Sequence, residues 1–406
     1  MTRRAQPSAL SVVIGAGGTG GHIYPGLALA DAIRSLEPRA HISFVGTERG
    51  LERTLIPGAG YRLHTVDMIP FDRQLGARRF LLPAHLLKSA GQARSVMKRQ
   101  GALVAVGMGG YPSAPVILGA RMLRIPALIH ESNAIPGRAN RFNARLGSAV
   151  CLGFEAARGH LPRRARADAE LVGMPLYAPL TRAERLRLGE SARAHHGLRR
   201  SVRLVLVNGG SLGARRLTEA ATELAGRWRS RPDVRLLIKT GPQDLERARA
   251  VLAENGGCAV AEAHAYLDRM DLAYAAADVA VCRAGSATVA ELASCGLPSV
   301  LVPYPHAPGD HQTHNARVLT RTGAAVLLPD GQLDAGSLAG ALEPLLADPY
   351  RLGTMSAAAD PGSHGTASLR LAERVLELAG GLTYPITPTP HDREPVAADE
   401  LERTNA

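Results

Sequence analysis

The stretch ADVAVCRAGSATVAELASCGLPSVLVPYPHAPGDHQTHN, residues 277–315, decides the fold. Residues 279–282 form a short apolar run, typical of a parallel strand that is buried on both faces. The loop at residues 283–286 contains small residues, which let a helix begin close to the end of that strand. A second apolar run and a proline-rich polar loop follow. The stretch therefore predicts a strand, helix and strand of an α/β fold.

Two features of this unit are typical of a site for an anionic, hydroxyl-rich ligand. The alternative is a further βαβ unit, in which Glu291 is a solvated helix residue and the polar loop lies on the surface. Helix N-termini favour anions because their first amide groups are free and the helix dipole is positive there. Gly285 precedes the predicted helix, and Glu291 lies two turns into it, where a carboxylate can bind a pair of ribose hydroxyls. The polar loop is predicted to contact sugar hydroxyls through its donors and acceptors, which are Asp310, His311, Gln312 and Asn315.

The composition predicts a soluble globular protein with two or three domains. The chain has 406 residues, of which 46% are hydrophobic and 21% charged. No window reaches the ~18 uncharged apolar residues that a membrane-spanning helix needs. The N-terminus runs into the first predicted strand without a cleavable leader. We therefore expect the protein to be cytoplasmic.

The net charge of +12 comes almost wholly from arginine, since Lys88, Lys98 and Lys239 are the only lysines. The basic residues are spread along the chain, and aromatic residues amount to 4%, which leaves few platforms for stacking bases. Nucleic acid is therefore not expected as a partner. An anionic lipid surface and a phosphorylated substrate fit the charge better.

The cysteines lack the spacing of a metal site. They are predicted to be small buried side chains in a reducing compartment. No DxD motif stands near the predicted ligand loops, so neither a metal nor a cofactor is expected. The four cysteines are Cys151, Cys258, Cys282 and Cys295.

A glycine loop, GAGGTGGH at residues 15–22, follows a strand predicted at residues 10–14. Its GxGxxG pattern is typical of dinucleotide-binding dehydrogenases when an acidic residue ends the next strand. Here Asp31 falls inside the next helix, predicted to begin near Pro25, and Glu48 comes late. The spacing therefore argues against a nicotinamide cofactor. The glycines allow close approach of a diphosphate, and His22 is placed as an acid or base.

Further loops follow predicted strands: GMGGYPSAP at residues 107–115, HESNAIPG at 130–137 and NGGSLGARR at 208–216. Loops at the carboxyl ends of parallel strands meet at the ligand crevice. The third loop repeats the strand, glycine loop and helix of the first, which predicts two Rossmann-like halves. Ser211 is expected to donate its hydroxyl to a phosphate. The residues expected on one rim of the first half are His22, Tyr111, Ser113, Glu131 and Asn133.

Residues 80–100 combine apolar side chains with flanking lysines and arginines. For most of these residues the pattern favours a core-facing helix with a solvated charged face. The alternative is a helix that lies on a membrane surface, with its cations near anionic headgroups.

From about residue 10 to residue 378, the chain resembles the MurG family, bacterial glycosyltransferases that add N-acetylglucosamine to a lipid-linked muramyl pentapeptide. The resemblance rests on the four loops quoted above, and on RAGSATVAE followed by DHQTHNA. It implies the GT-B architecture, in which two α/β lobes with parallel sheets face each other. The implied divisions are a membrane-associated acceptor lobe at 1–175, a donor lobe at 176–360, and a helix at 361–381 that crosses back. The proline-rich and polar composition of residues 382–406 predicts a disordered tail.

The resemblance implies an inverting transfer of N-acetylglucosamine from UDP-N-acetylglucosamine to undecaprenyl-diphosphate-linked muramyl pentapeptide, in peptidoglycan synthesis. It also implies a peripheral location at the cytoplasmic face of the cell membrane, against an anionic surface. Two alternatives stay open. One is a paralogous transferase that uses another nucleotide sugar or lipid-phosphate acceptor, and the other is a non-catalytic nucleotide-sugar binding protein.

The resemblance also implies roles for residues. His22 is expected to be the catalytic base or the group that orients the acceptor, with Glu131 as its competitor. Where the family usually has asparagine, arginine and glutamine, this chain has Met174, Tyr177 and Leu212, which puts the choice of nucleotide in question. The expected acceptor contacts are Gly18, His22, Gly110, Tyr111 and Ser113. The expected donor contacts are Thr19, Gly20, Gly21, Asn133, Tyr177, Ser211, Leu267, Gly285, Glu291, His311 and Gln312.

Overall fold

The computed structural model describes residues 10–68, 82–177, 179–210, 213–360, 362 and 364–380. Its first lobe contains a parallel sheet with the strand order β3-β2-β1-β4-β5-β6-β7. Apolar residues of the central strands are fully buried between helices on both faces, as the short apolar runs predict. The elements of this lobe are β1 Ser11–Gly15, α1 Gly20–Leu36, β2 His41–Gly46, α2 Glu52–Gly58, β3 Arg62–Thr65, α3 Leu82–Gln100, β4 Val104–Gly107, α4 Ser113–Leu123, β5 Ala127–Glu131, α5 Arg138–Arg145, β6 Ala149–Leu152, α6 Arg163–Ala167 and β7 Glu170–Leu171.

The second lobe contains a parallel sheet of six strands in the order β10-β9-β8-β11-β12-β13. Residues 279–301 form β11, α11 and β12, which are the predicted strand, helix and strand. Strand β11 lies between β8 and β12 in the sheet. The elements of this lobe are α7 Arg182–His195, β8 Arg203–Asn208, α8 Arg215–Arg227, β9 Val234–Lys239, α9 Leu245–Glu254, β10 Ala261–His264, α10 Met270–Ala276, β11 Val279–Cys282, α11 Ser286–Cys295, β12 Ser299–Leu301, α12 His311–Thr320, β13 Ala325–Leu327, α13 Ala335–Leu346 and α14 Pro349–Ala358.

The last described helix, α15 Ala367–Leu378, packs against the first lobe. Its residues Leu371, Ala372 and Val375 are buried in the same core cluster as β1 and α1. The two lobes are therefore joined twice, by the chain that leads into α7 and by the chain that leads into α15. The exact division of the chain into domains stays a prediction, and the expected tail at 382–406 lies outside the described residues.

Some predicted boundaries were wrong. Helix α1 begins at Gly20 rather than near Pro25, because the amides of His22 and Ile23 already donate to the Thr19 carbonyl. Pro25 therefore lies inside α1 and does not mark the start of the helix. Strand β10 begins at Ala261, after a short helical turn at Gly257–Ala259. Cys258 on that turn is exposed, whereas the three other cysteines are buried as expected.

Residues 310–315 were predicted to be a polar loop, but most of this segment is helix. Helix α12 begins at His311, directly after Asp310 in a left-handed backbone conformation. Asn315 is fully buried, so its expected contact with sugar hydroxyls is wrong. Its side chain instead joins the two lobes, as described below.

Candidate active site in the cleft between the lobes

The first glycine loop is held in place by a buried carboxylate. Glu52 accepts hydrogen bonds from the Gly18 amide at 3.0 Å and from the amide and hydroxyl of Thr47. A side chain at Gly17 would meet the Glu52 carboxylate at 2.6 Å, which explains the glycine there. The sequence analysis missed Glu52, although it follows the end of β2 at the same sheet edge as the loop. Thr19 lies exposed at the start of α1, and Gly20 and Gly21 form its first turn.

His22 lies in the first turn of α1, and its ring faces the second glycine loop. Nδ1 is 3.3 Å from the Thr19 hydroxyl, and the Nε2 edge faces Gly109. Burial lowers the pKa of His22 below its usual value, while a hydrogen bond with Gly17 acts in the opposite direction. His311 of the second lobe is close enough to lower this pKa further. The imidazole is therefore neutral at pH 7 and available to accept a proton.

The second glycine loop has room only for glycine beside His22. Gly109 and Gly110 both have positive φ angles, 93° and 72°. A β-carbon at Gly109 would lie 2.8 Å from His22 Cδ2, and one at Gly110 would lie 2.5 Å from the Gly17 carbonyl oxygen. The paired glycines thus let the two loops approach each other around the imidazole.

We expect Gly109→Ala to lower the rate of a reaction that uses His22 by at least about tenfold, because the added methyl group displaces the imidazole by a fraction of an ångström or more. Gly147→Ala is the matched control, since Gly147 has a φ of 83° but nothing within 4 Å of an added β-carbon. Both substitutions place a β-carbon on a residue with a positive φ angle, which costs about 1–2 kcal/mol of backbone strain. Steady-state rates and thermal unfolding of both variants separate the two effects. Equal losses of activity in both would contradict the crowding of His22.

Glu131 is buried at the end of β5 and is saturated with hydrogen bonds. One carboxylate oxygen accepts from the amide and side chain of Asn133, and the other from the Gly137 amide and the Asn140 side chain. Burial raises the pKa of Glu131, and these donors lower it. The carboxylate therefore holds the loop at residues 132–140 in shape. This arrangement favours His22 over Glu131 as the base.

Asn315 joins this loop to the second lobe. Its oxygen accepts from the Ala134 amide at 2.8 Å, and its nitrogen donates to Asn133 Oδ1 and the Ala284 carbonyl, both at 3.2 Å. Ala284 precedes the N-terminus of α11. One buried amide thus fixes the distance between the predicted acceptor and donor loops. No periodic pattern in the sequence signals such a contact.

The residues around His22 and Glu131 line a cleft that encloses about 250 Å³, including space open to solvent. The structure therefore brings together four predicted site residues, His22, Gly110, Glu131 and Asn133. Tyr111 is exposed nearby, at the turn before α4. Ser113 is fully buried, and its hydroxyl donates to the Gly110 carbonyl, so it supports the loop from inside the lobe. The lining residues are His22, Met108, Gly109, Gly110, Glu131, Ser132, Asn133, Gly137, Ala139 and Asn140.

On the facing lobe, α11 offers an N-terminus for an anion. Gly285 is its N-cap, and no described side chain caps the first turn. The first-turn amides are therefore free to donate to a ligand. Gly18 and Gly110, the predicted acceptor-side glycines, lie on loops of the opposite lobe.

Glu291 lies half-buried on α11, five residues after its start. Burial raises its pKa to about 7, and a hydrogen bond from the Tyr274 hydroxyl at 2.9 Å lowers it. Tyr274, on α10, is a supporting residue that the sequence analysis missed. The Glu291 carboxylate is therefore positioned by Tyr274, and its pKa lies near neutrality.

The remaining predicted donor contacts lie on several segments. His311 Nδ1 is 2.9 Å from the Pro308 carbonyl, and the Gln312 side chain accepts from the Tyr304 amide. Leu267 is partly buried against the core of the second lobe. Tyr177 is 51% exposed, and its ring centroid is 6.1 Å from that of Tyr24 on α1. The predicted donor contact Ser211 and the neighbouring Leu212, where the family usually has glutamine, lie outside the described residues.

The family comparisons cover both lobes. A family model described as the glycosyltransferase family 28 N-terminal domain matches residues 12–151, and one described as the C-terminal domain of the same family matches residues 204–374. Together they match well over half of the chain.

Full-length relatives are similar over nearly the whole chain. The UDP-N-acetylglucosamine--N-acetylmuramyl-(pentapeptide) pyrophosphoryl-undecaprenol N-acetylglucosamine transferase of Rhodococcus jostii is 41% identical over 92% of this chain and 97% of that protein. The protein of the same name in Saccharopolyspora erythraea is 42% identical over 94% of this chain and 96% of its own length. The crystal structure of Acinetobacter baumannii MurG is 28% identical, with a TM-score of 0.73 over 91% of this chain and 99% of that one.

Proposed function

We propose that this chain, which belongs to glycosyltransferase family 28, transfers N-acetylglucosamine from UDP-N-acetylglucosamine to undecaprenyl-diphosphate-linked muramyl pentapeptide. The GT-B fold and the relatives at about 40% identity support this assignment. The observation that carries it is the contact between the two lobes beside His22. His311 of the second lobe is near enough to lower the pKa of His22, and Asn315 joins Asn133 to the Ala284 carbonyl, just before the start of α11.

In the proposed reaction, His22 removes the proton from the acceptor hydroxyl as that oxygen attacks the anomeric carbon of the donor sugar. The bond between the anomeric carbon and the diphosphate breaks, and the electron pair leaves with UDP. Attack from the face opposite the leaving group inverts the anomeric centre. The amides at the start of α11 then bind the negative charge that builds up on the diphosphate.

We assign the remaining predicted residues by their placement. Glu291 accepts hydrogen bonds from the ribose hydroxyls, and Leu267 contacts the base. Gln312, His311 and Asn133 are assigned to the donor sugar. We place Thr19, Gly20 and Gly21 beside the reacting groups because they form the turn that carries His22.

The acceptor side is assigned to the exposed Tyr111 and to the backbone of the glycine loops, including Gly18 and Gly110. For Ser113 and Glu131 we propose supporting roles, because their polar atoms already bind loop groups. Tyr177 is retained as a donor-side residue because of its exposed position between the lobes.

We further propose that the protein binds peripherally to the cytoplasmic face of the membrane through α3. On this helix Leu87 is 61% exposed, and Arg94, Lys98 and Arg99 follow it. Phe80 and Leu81, and the basic residues Arg73, Arg78 and Arg79, lie outside the described residues. Among the described helices, each is too short or too polar to pass through a bilayer.

The test of the function is sugar transfer with purified protein. Radiolabelled UDP-N-acetylglucosamine is incubated with a short-chain analogue of the lipid acceptor, in competition with other unlabelled nucleotide sugars. We expect label in the lipid product, which only unlabelled UDP-N-acetylglucosamine dilutes. Preferred use of another nucleotide sugar would favour the paralogous transferase. Binding of UDP without any product would favour a non-catalytic binding protein.

A further inference from the structure

Lys239 ends β9 at the carboxyl edge of the second sheet. It stands in register with Asn208 on β8 and with His264 on β10. This is the edge from which the glycine loop after β8 and the loop after β10 both leave. Lys239 is half-buried, so its ammonium group is partly shielded from water.

The partners of this ammonium group are uncharged. Nζ donates to the Gly210 carbonyl at 2.8 Å and lies 5.8 Å from the centre of the Tyr266 ring. An ammonium group has three N–H donors, and the carbonyl uses one of them. Burial lowers the pKa of Lys239, and no carboxylate among the described residues opposes this effect.

The arginines near this glycine loop each pair with a carboxylate. Arg215 pairs with Asp244 at 3.2 Å, whereas Arg216 and Arg283 share Asp330, at 3.2 Å and 2.6 Å. Within the described ranges, Lys239 is therefore the cation of the loop region that has no counter-ion. A partly buried charge without a partner is costly, and an anionic ligand would remove this cost.

We infer that Lys239 binds the diphosphate of the nucleotide donor, in exchange for or together with the Gly210 carbonyl. The inference rests on the proposed function, since it names a further residue of the same donor site. Gly210 lies two residues after the end of β8, and α8 begins at Arg215. The free amides at the start of a helix also favour a phosphate. A charge-assisted hydrogen bond would add to these neutral contacts.

The test compares a nucleoside diphosphate with its nucleoside. Binding of UDP and of uridine to the full chain is measured by titration calorimetry for the unmodified protein, Lys239→Met and Lys239→Arg. Lys239→Met keeps the apolar stem and removes the charge, and we expect it to weaken UDP binding by about tenfold or more. Uridine binding should change less than about twofold. Lys239→Arg should keep most of the affinity for UDP.

The matched control is Arg235→Met, which removes a positive charge from the same strand near its opposite end. Its side chain donates to a backbone carbonyl, and its loss should leave UDP binding unchanged. Raising the ionic strength should weaken UDP binding to the unmodified protein more than to Lys239→Met. If Lys239→Met does not fold, as judged by circular dichroism, Lys239→Gln replaces it in the same titrations.

Equal losses of UDP and uridine affinity would overturn the inference, because they would show that Lys239 acts only by shaping the loop. Unchanged UDP affinity in the uncharged variants would overturn it as well. Neither result would affect the proposed function. That proposal fails separately if the unmodified protein does not bind UDP at all.

Discussion

Replacing His22 by alanine is expected to lower kcat by about 10²–10⁴-fold, the usual contribution of a general base. The imidazole is the neutral basic group of the cleft that is not already saturated with hydrogen bonds, in contrast to Glu131. Binding of UDP should change little, because Leu267 and Glu291, the proposed contacts of the base and the ribose, lie on the other lobe. The measurement is the initial rate of sugar transfer at saturating concentrations of both substrates, together with the affinity for UDP.

The pH dependence gives a second test of the same assignment. Protonation of His22 removes its basicity, so the rate should fall as the pH drops through its pKa. Because burial lowers this pKa, the acidic limb of the kcat profile should lie below pH 6.5. The control is His41→Ala, at the exposed amino end of β2, which should keep the activity and the profile. Near-normal turnover of His22→Ala would show that another group is the base.

Replacing Glu291 by glutamine is expected to weaken nucleoside binding by about tenfold or more, since hydrogen bonds to a charged group contribute about 1.5–3 kcal/mol. The ribose hydroxyls would donate to the ionised carboxylate, and binding would thus favour loss of its proton. Because burial raises the pKa of Glu291 to about 7, the affinity should decrease as the pH falls below 7. In the glutamine variant this pH dependence should disappear.

Uridine is the ligand of choice for this experiment, because the terminal phosphate of UDP itself titrates near pH 6. Affinities are measured by calorimetry between pH 5.5 and pH 8.5, values chosen to be roughly symmetric about the Glu291 pKa. Glu223→Gln on the exposed face of α8 serves as the control and should leave the affinity unchanged at each pH. A pH-independent affinity in the unmodified protein would contradict a contact between Glu291 and the ribose.

The raised pKa of Glu291 also predicts how the unliganded protein responds to pH. The folded state holds this proton more tightly than the unfolded chain, so the stabilisation is complete below the unfolded pKa and is lost as the pH rises through about 7. Glutamine cannot ionise and escapes this loss. The stability of Glu291→Gln relative to the unmodified protein should therefore increase between pH 5.5 and pH 8.5.

The sequence predicted the parts of the fold that depend on local pattern. Short apolar runs placed β1, β8 and β11, and the loops after them fell at the expected sheet edges. Helix boundaries were less predictable, because Pro25 within α1 looked like a start signal. The polar composition of residues 310–315 concealed the helix α12 in the same way.

The supporting residues of the site could not be predicted, because they depend on contacts between distant parts of the chain. Glu52 binds an amide 34 residues before it, and Asn315 binds one 181 residues before it. Tyr274 and Glu291 meet only because α10 and α11 flank the same strand. Neither periodicity nor motif spacing contains this information, whereas the glycines around His22 were signalled by their repetition.

The central claim is that the second lobe holds the nucleotide of the donor, with its diphosphate at the start of α11. A crystal structure of the protein with UDP tests this claim most directly. We expect the diphosphate within hydrogen-bonding distance of the amides that follow Gly285, and the ribose hydroxyls on Glu291. Density for UDP only at another place, such as the glycine loop of the first lobe, would contradict the account.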